Sequence, residues 1–383
     1  MRKAADALAA AGHNVHVLWA YGTEWADVHD RVICANAKWS SKQIGGNPVD
    51  DRLSYQFNRI VRKAHELLGS WEKSICRAMP AYIQRAVNWQ PDLVIGHNPG
   101  ALAPLIAIQK RLGIPALFDA EDYHRGESYV VRAGIERQTA ELEMKYMPQL
   151  TRMTAASPLI SKTYREHFPD LAVTTVNNAF SRSIQPHAPD PFQEESPLRI
   201  AWFSQVVGLD RGLQEFLEGM RLVADVPIQL TLIGLSDEVK NAEFQKRMAS
   251  PLHALHFVAP LSEPNLLERL AENELGLALE FPTPKNRDIC RTNKLYTYPL
   301  AGCYMLASKT ASQIQFLEEF PVTGQIIDLR QPETISAALQ WAYDHRDVLL
   351  ERRQATWNLA KTSLNWEEAS KALVEGVENT LRG

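Results

Sequence analysis

Short apolar runs recur along this chain, each followed by a helical stretch, and the alternation runs through twice. In the first half the runs are 14–19, Pro91-Asp92-Leu93-Val94-Ile95-Gly96, 115–119 and 152–156; in the second they are 198–203, 228–234, 255–258 and 275–279. Strands with so few polar residues, separated by helices, fit a parallel sheet covered on both faces. At 383 residues the chain exceeds one ordinary core, so two such sheets are expected. The expected fold class is α/β, two doubly wound domains facing each other, with a ligand in the cleft at the carboxyl ends of the strands. The first domain is assigned to residues 1–180 and the second to 198–365. Pro186, Pro189, Pro191 and Pro197 lie among polar residues in 181–197, which reads as a linker. Residues 366–383 form a last helix, with Ala369, Leu373, Val377 and Leu381 at four-residue spacing, expected to pack back toward the first domain.

The opening of the chain departs from this scheme. Residues 2–11 read as a helix stopped by Gly12, with a strand only at 14–19. A doubly wound domain normally begins with a strand whose following turn lies at the ligand crevice. The expectation is therefore that the first strand is missing and that the protein starts upstream, the alternative being that another segment fills its position.

The richest local signal is Asp288-Ile289-Cys290-Arg291-Thr292-Asn293-Lys294-Leu295-Tyr296-Thr297-Tyr298-Pro299-Leu300-Ala301-Gly302. A polar loop carrying Asn293 and Lys294 runs into a short helix that ends at an Ala-Gly turn, and an apolar strand follows. A lysine beside the free backbone N–H groups of a helix start is suited to a diphosphate. In the same half, Phe203-Ser204-Gln205-Val206-Val207-Gly208-Leu209-Asp210-Arg211-Gly212-Leu213 joins a strand to a helix. Gly208 lies in the turn, and Arg211 can hold phosphate oxygens bidentately. A plain β-α turn with a solvated arginine is the alternative, weakened by the presence of Asn293-Lys294 in the same domain.

The net charge of −4 gives no reason to expect nucleic acid as a partner. Cys34, Cys76, Cys290 and Cys303 are far apart and form no CxxC pair, which argues against zinc or a redox dithiol and suits a reduced, cytoplasmic protein. No apolar run approaches the length of a membrane span.

The order of motifs resembles the retaining GT-B glycosyltransferases of family 4, or group 1, over nearly the whole chain. Gly12-His13-Asn14-Val15-His16-Val17-Leu18 is similar to the family's "GHEVxVL" segment, and Pro91-Asp92-Leu93-Val94-Ile95-Gly96-His97-Asn98 to its "PDVVHxH" strand. The stretch from Ala156-Ser157-Pro158 through Tyr164 and Phe168-Pro169 to Val176-Asn177-Asn178-Ala179 resembles the run that ends the first domain. Arg211-Gly212 stands where the family has Lys-Gly, and Asn293-Lys294 with Tyr298 and Ala301-Gly302 is similar to "NKLxEYxxAG". The resemblance implies transfer of a sugar from a nucleotide-diphosphate donor to a hydroxyl of a glycan or lipid-linked acceptor. It also implies retention of configuration without a protein nucleophile. No cofactor is implied, the nucleotide-sugar being a substrate. No metal is expected either, since no DxD-type pair is placed at the diphosphate and Asp50-Asp51 lies in the other domain.

Two positions depart from the family. Gln205 replaces an arginine that helps neutralise the diphosphate, and Thr297 replaces a glutamate that holds ribose or sugar hydroxyls. A threonine is the weaker acceptor, so Asp288 or Glu280 is expected to take that part. The first domain should hold the acceptor, where Glu121, Asp122 and His124 follow a strand and can orient or deprotonate its hydroxyl. A solvated loop capping the next helix is the alternative. His97 and Asn98, at another strand end, are expected on the acceptor side, or else in a plain turn into the next helix, and His13 and His16 are read as structural. Two other readings stay open: a nucleotide-sugar 2-epimerase of the same architecture, and a non-catalytic homologue.

Residues 52–89 carry Arg52, Arg59, Arg62, Lys63, Lys73, Arg77 and Arg85 against Glu66 and Glu72, so seven minus two gives +5. Apolar residues are interleaved. The expected arrangement is a helix pair with its apolar side packed on the sheet and its basic side in water. A surface for peripheral contact with an anionic membrane, on its inner face, is the other reading.

Overall fold

The computed structural model describes residues 1–127, 133–191, 196–208, 211–248 and 250–383. Leu209 and Asp210 of the strand–helix turn, and 192–195 of the proline-rich segment, lie outside the described residues. The chain divides into two compact units: Met1–Val176 with Ser370–Gly383, and Asn177–Ala369.

The first unit carries β1 (His16–Ala20), β2 (Ser40–Ile44), β3 (Val94–His97), β4 (Ala116–Ala120), β5 (Arg152–Ala155) and β6 (Val173–Thr175). All pairings are parallel, as strands separated by helices require; β2, Ser40-Ser41-Lys42-Gln43-Ile44, is mostly polar and was not expected from the hydrophobic pattern. They form two sheets, β1-β2 and β3-β4-β5-β6, where one doubly wound sheet was the expectation. Among the described residues β1 has a ladder partner only in β2, and β3 only in β4. Leu18 of β1 and Val94 of β3 still share one apolar cluster with Ile83, Ala86 and Ile108, so helices bridge the two sheets where backbone pairing does not.

The second unit holds one six-stranded parallel sheet in the order β12-β11-β10-β7-β8-β9. Its strands are β7 (Leu198–Val206), β8 (Ile228–Leu235), β9 (His253–Val258), β10 (Leu275–Ala278), β11 (Tyr304–Ser308) and β12 (Gly324–Ile327). Strand order runs outward from β7 on one side, and the chain returns to β7's other side with β10. The switch point therefore lies between β7 and β10, where α/β sheets place their ligands. Leu230, Leu232, Leu275, Leu277 and Leu306 are wholly or almost wholly buried on this sheet. The proline-rich segment lies on the same unit: Trp357 Nε1 donates to Pro186 O at 3.0 Å, and Gln185 Nε2 to Trp357 O at 3.0 Å.

The helix pair expected in 52–89 behaves differently at its two ends. In the Met79–Trp89 helix Ile83 and Ala86 are buried, as the packed reading requires. The Arg52–Leu67 helix has no buried residue and turns Leu53, Phe57, Ile60 and Leu67 to solvent. The packed reading fails there because Tyr55 and Asn58, not the apolar stripe, face the body of the unit.

Candidate functional site

The second unit gathers charge at the switch point. Beyond β10 the chain places Glu280, 2% exposed, in a turn fixed by its own N–H donating to Ser308 Oγ at 2.8 Å. Beyond β7 the turn ends at Arg211-Gly212 and opens the Leu213–Met220 helix. Gly212 sits at φ +78°, and a Cβ there would lie 2.6 Å from Leu329 Cδ1 and 3.2 Å from Leu279 Cβ. Any other residue there would be strained by the left-handed backbone and would displace Leu329, so glycine holds the position from which Arg211 emerges. Arg211 Nη1 donates to Glu280 Oε1 at 3.1 Å. Lys294, first residue of the buried Lys294–Ala301 helix, brings Nζ to 3.6 Å of the same oxygen, and Arg287 Nε lies 3.8 Å from Oε2.

Among the described residues, these three cations face the one Glu280 carboxylate, and these four groups sum to +2. Lys294 is buried over the rings of Trp202 and Phe203, at 5.5 and 5.6 Å from their centroids. Burial pulls its pKa down, the Glu280 carboxylate opposes this, and Arg211 adds to the lowering. Three cations gathered on one buried carboxylate beside a helix start, with Arg211 still reaching solvent, form a site suited to an anion.

The structure thus brings Arg211, Glu280 and Lys294 together and adds Arg287, which sequence reasoning missed. Its signal was a basic residue two positions after Lys285 on the short Lys285–Ile289 helix, legible only once that helix's direction is known. The remaining donor-side residues differ in their surroundings. Asn293 is exposed at the N-cap of the Lys294–Ala301 helix, and Gln205 is exposed near the end of β7, with Gly208 half-buried beyond it. Thr297 is wholly buried and its hydroxyl donates to Asn293 O at 2.7 Å, within its own helix. Asp288 pairs with Lys285 at 2.9 Å and accepts from the N–H of Ala311 at 2.8 Å. The ribose-acceptor role expected of Asp288, Glu280 and Thr297 meets groups already engaged within the protein. Glu280 is the anchor of the cations.

In the first unit, β3 and β4 end side by side, with His97 in register with Asp119. His97 Nδ1 lies 3.1 Å from Asp119 Oδ2 and 3.6 Å from Glu121 Oε1, and the Met1 ammonium lies 2.7 Å from Glu121 Oε1. Potential metal-donor atoms of His97, Asp119 and Glu121 fall within 4.8 Å of one another. Burial alone would lower the His97 pKa, but the paired carboxylates outweigh it and the net shift is upward. His97 in turn holds Glu121 well below the usual carboxylate range, against its desolvation and with help from the ammonium. Asp119 also accepts from Thr154 Oγ1 at 2.6 Å; the sequence places it with Glu121 and Asp122 as three carboxylates at a strand end, and strand register decides that it pairs with His97.

His124 does not join this cluster. It is buried, with Nδ1 2.5 Å from Glu127 Oε1 and its ring edge-on to Phe118. Asp122 is half-buried beside Glu121, and Asn98, just past β3, is exposed at φ +65° where the chain turns into Pro99–Ala101.

No family model matches the chain, and no curated protein matches it either. Solved structures do. A glycosyltransferase from Rickettsia africae aligns with 100% of this chain and 94% of its own, at 9% identity and TM-score 0.66. HepE from Anabaena, solved with UDP and glucose, aligns with 96% of this chain and 100% of its own, at 11% identity and TM-score 0.64. TarM aligns with 80% of this chain but 59% of its own, at 11% identity and TM-score 0.62. At these identities the likeness fixes the fold, which is GT-B: two Rossmann-like α/β units.

Proposed function

We propose that this GT-B chain is a glycosyltransferase of the family 4 type, moving a sugar from a nucleotide diphosphate to a hydroxyl of a glycan or lipid-linked acceptor. The observation that carries the reading is the +2 cluster of Arg211, Arg287 and Lys294 on the buried Glu280. The diphosphate of a nucleotide-sugar carries about two negative charges, so it would neutralise this cluster. HepE was solved with UDP and with UDP-glucose, which makes a uridine donor the first to test.

In the proposed reaction the C1–O bond to the diphosphate breaks and the acceptor oxygen bonds to C1 on the same face. The acceptor proton passes to the departing phosphate oxygen. Arg211, Arg287 and Lys294 stabilise the charge that develops there, with the Leu213–Met220 and Lys294–Ala301 helix starts beside them, so that neither a protein nucleophile nor a metal is required. Their positions are set in advance by Glu280, which limits reorganisation during the step. Acceptor contacts are assigned to His97, Asn98, Glu121 and Asp122, with His124 supporting that loop through Glu127. The protein would act in the cytoplasm.

The test is a thermal-shift panel of nucleoside diphosphates and their sugars on the full chain and on Lys294→Ala. A selective stabilisation of the parent that the variant loses, followed by transfer from that donor to a saccharide acceptor, is the expected result. Equal shifts in both proteins would remove the site assignment. Turnover of the donor sugar to an isomer without acceptor would replace transfer by epimerisation.

A further inference from the structure

The Arg52–Leu67 helix shows water the side that such a helix usually hides. Leu53 is 86% exposed, Phe57 65%, Ile60 68%, Leu67 81%, and Leu68, just past the helix, 77%. With Ala64 these positions recur at steps of three and four, one continuous stripe along the helix. The side carrying Ser54, Tyr55, Asn58, Val61 and His65 is half-buried against the unit. Asn58 Nδ2 reaches Gly45 O at 3.4 Å, and the Tyr55 ring lies edge-on to Tyr21 with Arg77 over its face. At Gly46 the chain approaches so closely that a Cβ would come within 2.6 Å of Tyr55 N. The helix is therefore held in this orientation by its more polar side.

Charge follows the stripe. Arg52, Arg59, Arg62 and Lys63 stand against Glu66, so four minus one gives +3 on this one helix in a chain of net charge −4. Glu66 is taken up by Arg62 at 3.5 Å. At about 3.6 residues per turn, Arg52, Arg59 and Lys63 fall along one border of the apolar stripe. A contiguous exposed apolar stripe, in place of single scattered residues, marks a contact site. An apolar face bordered by cations matches a bilayer whose headgroups are anionic, since one side sinks below the phosphates and the other pairs with them.

We propose that the Arg52–Leu67 helix is an interfacial docking helix, which lays Leu53, Phe57, Ile60, Ala64 and Leu67 into the headgroup boundary of an anionic bilayer. Arg52, Arg59 and Lys63 meet the lipid phosphates. The docking holds whether or not the chain transfers a glycosyl group.

The experiment is co-sedimentation of the full chain with vesicles of phosphatidylcholine alone, or with phosphatidylglycerol as about one third of the lipid. The parent is expected to pellet with the anionic vesicles and remain in solution with the neutral ones. Phe57→Ser with Ile60→Ser should weaken binding more than about tenfold. Arg59→Gln with Lys63→Gln should weaken it about twenty-five-fold, from about fivefold for each charge. Phe57, Ile60 and Lys63 are exposed, and Arg59 is exposed with its guanidinium 5.6 Å from the Tyr55 ring centroid, so the thermal melts of these variants should stay close to the parent's, Arg59→Gln giving up that ring contact. Phe57→Trp should shift its emission to shorter wavelength only with anionic vesicles, which adsorption by charge alone would not produce. Equal pelleting with both vesicles, or parent-like binding by Phe57→Ser/Ile60→Ser, would overturn the proposal. So would an absence of lipid binding combined with a dimer that Phe57→Ser dissolves, since the stripe would then be a protein interface.

Discussion

Removing one member of a buried charged cluster leaves its partners desolvated and unpaired. Glu280 has 1% of its side chain exposed and three cations around it. Glu280→Gln should therefore cost about 3–5 kcal/mol of stability without any ligand, read from the denaturant midpoint. A residue that only touched a sugar hydroxyl would leave that midpoint unmoved. Lys294→Ala should instead lower kcat/KM by the equivalent of about 2–4 kcal/mol, the usual worth of a group aimed at developing charge. In the first unit the prediction concerns pH. The folded pKa of His97 is raised above 6.5, so its contribution is present below that value and is lost as pH rises through the folded value. Glu121 is lowered from 4.5, so its contribution is present above that value and is lost as pH falls. The parent should thus lose stability on both flanks of this window, and His97→Gln should flatten the alkaline flank in a series of thermal melts. An unchanged alkaline flank would mean the pair contributes nothing. Arg211 and Lys294 were legible in the sequence because a cation beside a turn or helix start leaves a local pattern. The pairing of Asp119 with His97, and Arg287, were not, since these neighbours come from strand register and helix direction.

Elements show the same division between local pattern and packing. Gly212→Ala meets both a left-handed backbone and Leu329, so it should cost about 1–3 kcal/mol and displace Arg211, lowering melting temperature and donor affinity together. Parent-like values for both would mean the turn adapts freely. The Lys294–Ala301 helix has all eight of its residues buried, so inserting Thr297→Glu would put a carboxylate in the core and report on folding before activity. Thr297→Val is the cleaner probe, because it removes only the bond to Asn293 O. The Arg52–Leu67 segment shows the limit of periodicity. Spacing identified its apolar stripe, but which side is covered depends on Gly45, Tyr21 and Arg77, far away in sequence.

For the whole molecule, the alternation of apolar runs and helices was enough to place five of the second unit's six strands in parallel, because the central strands are buried on both faces; Gly324–Ile327, the edge strand β12, was not read from it. The first unit's division into two sheets was not legible, since β2, with Ile44 as its one apolar residue, leaves no hydrophobic run, and the pattern is silent on which edges meet. That division has a dynamic consequence. A two-stranded ribbon is marginal by itself, and β1-β2 is joined to the rest through side chains such as Leu18 and Val94 in place of backbone pairing. The ribbon can open while β4 and β5, each hydrogen-bonded on both edges, stay closed. In deuterium, amides of β1 and β2 should exchange at least about a hundredfold faster than those of β4 and β5, as a separate cooperative step. Equal protection across all four strands would show that the unit melts as one, and that packing by helices couples the two sheets as tightly as a shared ladder would.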